Sequence, residues 1–170
     1  MLITLIQRFM WMLVLMAAQM LVFNHVHLFG YATPLPFVYL LLMFPLNTEV
    51  WMSLLWGFVC GLLTDIGALT PGVGAAALTL TAFIQPSLLK RIVPDDSVED
   101  LVPSYATLGF FTYVRYAAII TGIFVVVYYL VLAFSFHNIF DWAISCASSW
   151  LLTWLLCLVF EGFRKTKKKI

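Results

Sequence analysis

The chain has 170 residues, of which 64% are hydrophobic and 10% charged, with a formal net charge of +1 and a mean hydropathy of +1.03. So small a polar fraction cannot cover a water-soluble globule, which excludes a soluble enzyme or binding domain and predicts a membrane protein without a nucleic-acid partner. At roughly 20 residues per span the chain has room for about six transmembrane helices. We predict one all-α integral membrane domain over residues 1–163 and a basic tail over residues 164–170.

The first two predicted spans flank a short polar stretch. The first covers residues 5–23 and is expected to be a retained helix, because no small-residue cleavage site precedes a polar sequence. His25 and His27 follow it, and we interpret them as interfacial residues rather than as a zinc site. The second span, residues 28–46, is predicted as a kinked span or a re-entrant segment, because prolines interrupt it. These prolines are Pro34, Pro36 and Pro45.

Four further spans are predicted in the rest of the chain. They cover residues 48–65, 72–89, 105–136 and 140–160. Asn47 or Thr48 is expected to cap the third helix, with Glu49 beside its N-terminal dipole. A polar connector over residues 90–103 separates the fourth and fifth spans and is predicted to form a short capped helical turn at the membrane surface.

The distribution of basic residues predicts the orientation of these spans. If all six segments cross, the nine lysines and arginines fall on one face, which the positive-inside rule assigns to the cytoplasm. Both termini are then cytoplasmic. Five of these cations, expected to contact anionic lipid as well as to set the topology, lie in the tail: Arg164, Lys165, Lys167, Lys168 and Lys169. Docking of a cytoplasmic protein is the alternative interpretation of this tail.

Polar groups that could carry chemistry are scarce within the predicted spans. Asp65 and Asp141 lie at predicted outer ends, Arg115 lies toward the inner end, and Gln19 and Gln85 are the notable buried amides. No pair of them resembles a catalytic constellation. The three cysteines, Cys60, Cys146 and Cys157, lack both metal-binding spacing and companion histidines. We therefore expect no catalytic residues, no metal and no cofactor.

A stripe of small residues on the third span is the strongest packing signal. Gly57, Gly61 and Asp65 follow one another at four-residue spacing and therefore lie along one face of a helix. Small residues let a neighbouring backbone approach closely, which drives helix association in lipid. Asp65 ends the stripe, either as a helix-end residue solvated or hydrogen-bonded in the turn, or as an anchor for a partner or for bundle packing.

This stripe opens a longer motif of fixed order. After Asp65 come the turn Thr70-Pro71-Gly72-Val73-Gly74, the run Ala75-Ala76-Ala77 and a helix-ending Pro86. The order resembles the MreD family of rod-shape-determining membrane proteins, particularly its members in Bacteroides-like bacteria. The likeness continues in residues 93–103, 109–113 and 161–165 and covers nearly the full length.

The resemblance implies a fold and a set of partners. It implies a fold similar to the six-helix substrate-binding subunits of energy-coupling-factor transporters, in the bacterial cytoplasmic (inner) membrane. It also implies a non-enzymatic member of the cell-elongation machinery. MreC would bind directly, and through it the MreB filaments and the glycosyltransferase and transpeptidase pair that build sidewall peptidoglycan.

We therefore predict a scaffold whose lipid-embedded surface packs against a partner's transmembrane helix. The candidate partner-binding or helix-packing residues are Gly57, Gly61, Asp65, Pro71, Gly72 and Gly74. The alternative is a transporter subunit that binds a small molecule or lipid in a cavity opening outward near His25, His27 and Asp65. An enzyme ranks third because candidate groups are lacking.

Overall fold

The computed structural model describes residues 33–45, 48–93, 101–132 and 139–164, together with residues 9, 10, 12, 14, 15, 17 and 19. These residues are helical or irregular, and none of them is in a strand, which confirms the predicted all-α class for this part of the chain. The described positions between 9 and 19 are helical, and a 3-10 turn, Pro36–Val38, follows later. The α-helices after it are α1 (Tyr39–Leu42), α2 (Val50–Ala68), α3 (Val73–Ile92), α4 (Tyr105–Leu108), α5 (Phe110–Leu132) and α6 (Ile139–Phe163).

Four of these helices are long and apolar enough to cross a membrane, which indicates a membrane protein. They are α2, α3, α5 and the Phe140–Phe163 portion of α6. The spans predicted over residues 48–65, 72–89 and 140–160 agree with α2, α3 and α6 to within three residues at each end. A six-helix bundle is not confirmed, because most of residues 5–23 lie outside the described residues and residues 33–45 do not form a continuous helix.

The fifth predicted span, residues 105–136, is divided in the structure. Gly109, at a φ of 81°, separates α4 from α5. Ser104 and Thr107 form a capping box in which each side chain accepts the other's backbone N–H, at 3.2 and 2.9 Å. This capping box lies after the predicted connector, residues 90–103; the capped turn predicted within that connector falls on residues 94–100, which lie outside the described part.

Two further predictions about helix ends are wrong. Thr48 does not cap α2, since Glu49 is the N-cap residue and no side-chain cap bond forms there. The Glu49 carboxylate instead accepts the indole N–H of Trp51. Pro86 does not end α3, which continues to Ile92. A proline removes one backbone hydrogen bond, but a helix buried between neighbours can absorb that loss, and Pro86 itself is buried.

Residues 33–45, here called the central segment, occupy the interior of the described bundle. Most of their side chains are almost fully buried, including Val38, Tyr39 and Leu42 at 0% exposure. Only Pro36–Leu42 is helical, and residues 33–35 are irregular. Irregular backbone survives inside a membrane only where the protein itself satisfies its polar groups.

A polar stripe on α6 supplies those hydrogen bonds. Ser149, Thr153, Cys157 and Glu161 recur at four-residue spacing and are at most 2% exposed; we call this stripe the α6 seam. Ser149 Oγ accepts the N–H of residue 33 at 3.0 Å, and Thr153 Oγ1 accepts that of residue 35 at 3.1 Å. The Tyr39 hydroxyl donates to Glu161 at 2.7 Å. The central segment therefore follows α6 for twelve residues, which corresponds to about 18 Å.

Tryptophans on α6 hold it antiparallel to α5. The indole N–H of Trp150 donates to the Ala118 carbonyl at 3.0 Å, and that of Trp154 to the Val114 carbonyl at 3.2 Å. The two indole rings are stacked, with centroids 6.2 Å apart. A residue later in α6 therefore contacts a residue earlier in α5, as in two antiparallel helices.

The same pairing places the described cations at one end of the bundle. Gln85 donates to the Tyr116 hydroxyl at 2.9 Å, which sets the last turns of α3 beside the first turns of α5. Lys90 and Arg91 lie in the last turn of α3, Arg115 lies near the start of α5, and Arg164 follows the last residue of α6. Asp65 lies at the opposite end.

Candidate functional site

The hairpin formed by α2 and α3 contains the candidate residues that the sequence singled out. The small side of α2 faces α3 of the same chain. A Cβ added to Gly57 would lie 3.1 Å from the Ala82 Cβ and from the Leu78 carbonyl oxygen. At Gly61 it would lie 2.3 Å from the Ala75 Cα, so the two backbones are in direct contact there. This face is covered within the chain and is therefore not open to a helix of another protein.

Asp65 closes the hairpin by capping the first turn of α3. Its Oδ1 accepts the N–H of Gly74 at 2.7 Å, and its Oδ2 accepts the N–H of Ala75 at 3.0 Å. The hydroxyl of Thr70 donates to Oδ1 at 3.2 Å. The first N–H groups of a helix have no partner within the helix, and its dipole favours an anion at that end. Asp65, 5% exposed, therefore acts as a cap supplied by the preceding helix.

The turn between the helices reverses the chain so that the start of α3 lies beside Asp65. Leu69 ends α2 in the left-handed conformation, at a φ of 56°, and the next N–H, of Thr70, returns to the Asp65 carbonyl at 3.2 Å. Gly72 precedes α3 at a φ of 86°, a conformation that glycine adopts without steric cost. Pro71 and Gly72 are exposed at the tip of the hairpin.

Gly74 is needed for the approach of the carboxylate. A Cβ at this position would lie 2.7 Å from Asp65 Oδ1 and 3.0 Å from Thr64 Oγ1. Thr64 is held in place by donating to the Gly61 carbonyl at 2.8 Å. A side chain at position 74 would push Asp65 away from the N–H groups that it caps.

An apolar groove of about 620 Å³ lies between α2 and α3 on the exposed surface of the same hairpin. Its α3 wall contains small residues, and the single hydroxyl among them, that of Thr79, already donates to the Ala75 carbonyl at 2.7 Å. Phe58 and Phe83, about half exposed or more, border it. The lining residues are Leu54, Phe58, Leu62, Gly72, Ala75, Ala76, Thr79, Leu80 and Phe83.

The sequence analysis missed this groove, although a local signal for it was present. Leu54, Phe58 and Leu62 recur at four-residue spacing on α2, each three residues before a member of the Gly57, Gly61 and Asp65 stripe. Gly72, just before α3, and Ala76 within it repeat that spacing. Of the six hairpin candidates, Gly57, Gly61, Asp65 and Gly74 are buried between the helices. Only Gly72 lines the groove, and Pro71 is exposed beside it.

Arg164 is the tail cation that the structure describes, and it pairs inside the protein. Its Nη1 lies 3.4 Å from Glu161 Oε2, and its side chain is 17% exposed. Lys165, Lys167, Lys168 and Lys169 lie outside the described residues. Anionic-lipid contact thus stays a prediction for the lysines, whereas Arg164 has a protein partner.

The described residues contain no group of three or more His, Cys, Asp or Glu side chains that could hold a metal ion. His25 and His27 are not among those residues. The three cysteines are free and buried. Comparison of the chain with protein-family models, with curated proteins and with solved structures gives no match.

Proposed function

We propose that the protein is a non-enzymatic membrane scaffold of the bacterial cell-elongation machinery, and that a transmembrane helix of MreC packs into the groove between α2 and α3. The observation that carries the proposal is the groove itself, whose lining is apolar and includes the small residues Gly72, Ala75 and Ala76 at and near the start of α3. The family resemblance in the sequence supplies the identity of the partner.

The chemistry of the groove suits a helix better than a polar ligand. Lipid tails are as apolar as leucine, so helices associate in a bilayer through close packing over small residues. Gly72 and Ala76 provide such a surface, and the Asp65 cap holds the turn in which they lie. An incoming helix would pack between Phe58 and Phe83 without having to satisfy any free polar group of the groove.

The interior of the described bundle supports a scaffold over the transporter alternative. A carrier needs a cavity within the bundle for its ligand. The side chains of the central segment fill that space here, and Phe37, Leu41 and Phe44 are each at most 4% exposed. Among the described residues, the surfaces that remain for binding are on the outside; His25 and His27, near which the alternative cavity was predicted, are not among them.

The proposal includes an orientation in the bacterial cytoplasmic membrane with both termini inside. The clustering of Lys90, Arg91, Arg115 and Arg164 at one end of the bundle supports it, because cations near helix ends collect on the cytoplasmic side. The Asp65 end and the hairpin tip would then face outward. MreC would connect the protein to MreB and to the peptidoglycan-synthesising pair.

Ala76→Phe tests the groove. Ala76 is exposed on the groove wall, so a phenyl ring there fills the groove and leaves the α2–α3 contact intact. We expect co-purification of MreC to fall by about tenfold or more, as for a central interface position, and cells carrying the variant to lose their rod shape. The amount of folded protein in the membrane should not change.

Ala147→Phe is the matched control, because Ala147 is also an exposed alanine but lies on α6, outside the groove. It should leave both co-purification and cell shape unchanged. Normal recovery of MreC with Ala76→Phe would remove the groove as the binding site. Recovery of the protein without any membrane partner would contradict the scaffold function.

A further inference from the structure

Glu161 is a buried carboxylate that the proposed function does not use. It is 2% exposed, and three donors converge on its Oε2. The Tyr39 hydroxyl donates at 2.7 Å, the Tyr113 hydroxyl at 3.4 Å, and Arg164 Nη1 lies at 3.4 Å. Glu161 thereby joins the central segment, α5 and the start of the tail to the last turn of α6.

The central segment depends on such side-chain bonds more than a helix would. Few backbone hydrogen bonds form within it; they run from Val38 to Leu35, from Met43 to Leu40 and from Phe44 to Leu41, beside those of the short turn Pro36–Leu42. Its other anchors are side chains of neighbouring helices. Gln19 donates to the Pro34 carbonyl at 3.3 Å, and Gln85 to the Phe44 carbonyl at 3.5 Å.

The α2–α3 hairpin is held by separate contacts. Its close packing at Gly61 and its Asp65 cap involve only α2, α3 and the turn between them. Glu161 belongs to the opposite end of the bundle. A change at Glu161 can therefore alter the α6 seam while the hairpin keeps its structure.

We propose that Glu161 and Tyr39 form a latch. When their hydrogen bond is broken, the central segment separates from the half of the α6 seam that contains Cys157 and Glu161, and the α2–α3 hairpin stays folded. The latch is a conformational device beyond the scaffold function and does not rest on it. Arg164, the last described residue, is the cation that pairs with Glu161 in this latch.

Cys157 provides a built-in probe for this opening. It lies one helical turn before Glu161 on the α6 seam and is 0% exposed, because the neighbouring elements cover it. The other two cysteines, Cys60 and Cys146, are replaced by alanine in every variant, which leaves Cys157 as the single thiol. The rate of its alkylation by a membrane-permeant maleimide, in proteoliposomes, then reports on the seam.

We expect Glu161→Leu to raise the alkylation rate of Cys157 by about tenfold or more, as for loss of a buried hydrogen bond that gates a local opening. Tyr39→Phe removes a single oxygen atom, keeps the ring in the core and should raise the rate in the same direction. This second variant decides the matter if Glu161→Leu does not fold.

Asp65→Asn is the control, because it weakens the opposite end of the molecule. Cys157 should stay protected in this variant. Unchanged alkylation in Glu161→Leu and Tyr39→Phe would overturn the latch. An equal rise in Asp65→Asn would also overturn it, since the thiol would then report unfolding of the whole bundle. Normal MreC binding by Tyr39→Phe would keep this result separate from the proposed scaffold function.

Discussion

Replacement of Gly61 by alanine is expected to lower the free energy of unfolding by about 3 kcal/mol or more, at the upper end of the range for overpacked sites. The added Cβ would lie 2.3 Å from the Ala75 Cα and 2.5 Å from the Ala75 nitrogen. Both are backbone atoms, so no side-chain rotation relieves the overlap. The helices would have to separate, and the hydrogen bonds that Asp65 accepts from the first turn of α3 would be lost.

Two other helical glycines make this a graded experiment, measured by unfolding in lipid bicelles. Gly162 has no heavy atom within 4 Å of its added Cβ, so Gly162→Ala should leave stability unchanged or raise it by up to about 1 kcal/mol. Gly57→Ala, with contacts of 3.1 to 3.3 Å, should cost about 1 kcal/mol. Equal stability of the Gly61 and Gly162 variants would show that the α2–α3 contact is not this close.

The Gly61 result also bears on how partner binding is tested. The sequence predicts that the stripe of Gly57, Gly61 and Asp65 packs against a partner, and a bulky residue at Gly61 would test that prediction. In the structure such a residue disrupts the hairpin. A loss of partner binding could then result either from the disrupted hairpin or from a blocked binding surface. Ala76→Phe separates them because Ala76 is exposed.

Most of the predictions that agree with the structure, such as the helix ends, depend on local sequence patterns. The ends of α2, α3 and α6 follow from long apolar runs interrupted by glycine, proline and polar residues, and these signals depend only on neighbouring residues. The alignment of Gly57, Gly61 and Asp65 along one helix face is likewise a matter of spacing. Which helix covers that face is a tertiary property, and spacing does not contain it.

The central segment shows most clearly what local sequence patterns do not predict. Its prolines predicted an interrupted span, but the groups that satisfy its backbone, Ser149 and Thr153, lie 116 and 118 residues away along the chain. Glu161 directly precedes a basic tail, and its local sequence does not predict burial. It is buried because Tyr39 and Tyr113 reach it from two other elements, and single-sequence patterns do not encode such convergence.

Asp65→Leu is expected to destabilise the protein by about 3 kcal/mol or more, because it leaves two buried N–H groups without an acceptor at about 1–3 kcal/mol each. The N–H groups concerned are those of Gly74 and Ala75, whose neighbours in the first turn of α3 bond elsewhere: Val73 donates to the Thr70 carbonyl, and Ala76 to the Gly72 carbonyl. Gly74 and Ala75 are both buried, so water does not readily replace the lost acceptor.

Asp65→Asn distinguishes the acceptor role from the charge. The amide keeps one acceptor oxygen, so one of the two N–H groups stays bonded and the cost should be about 1–2 kcal/mol. Asp141 offers the comparison, since it also lies in the first turn of a helix, α6, but is exposed; Asp141→Asn should cost at most about 1 kcal/mol. Hydrogen exchange at Gly74 and Ala75 should accelerate in both Asp65 variants and not in Asp141→Asn. If these two amides exchanged at the same rate in all of the proteins, Asp65 would not be their acceptor, and the closure of the hairpin would need another cause.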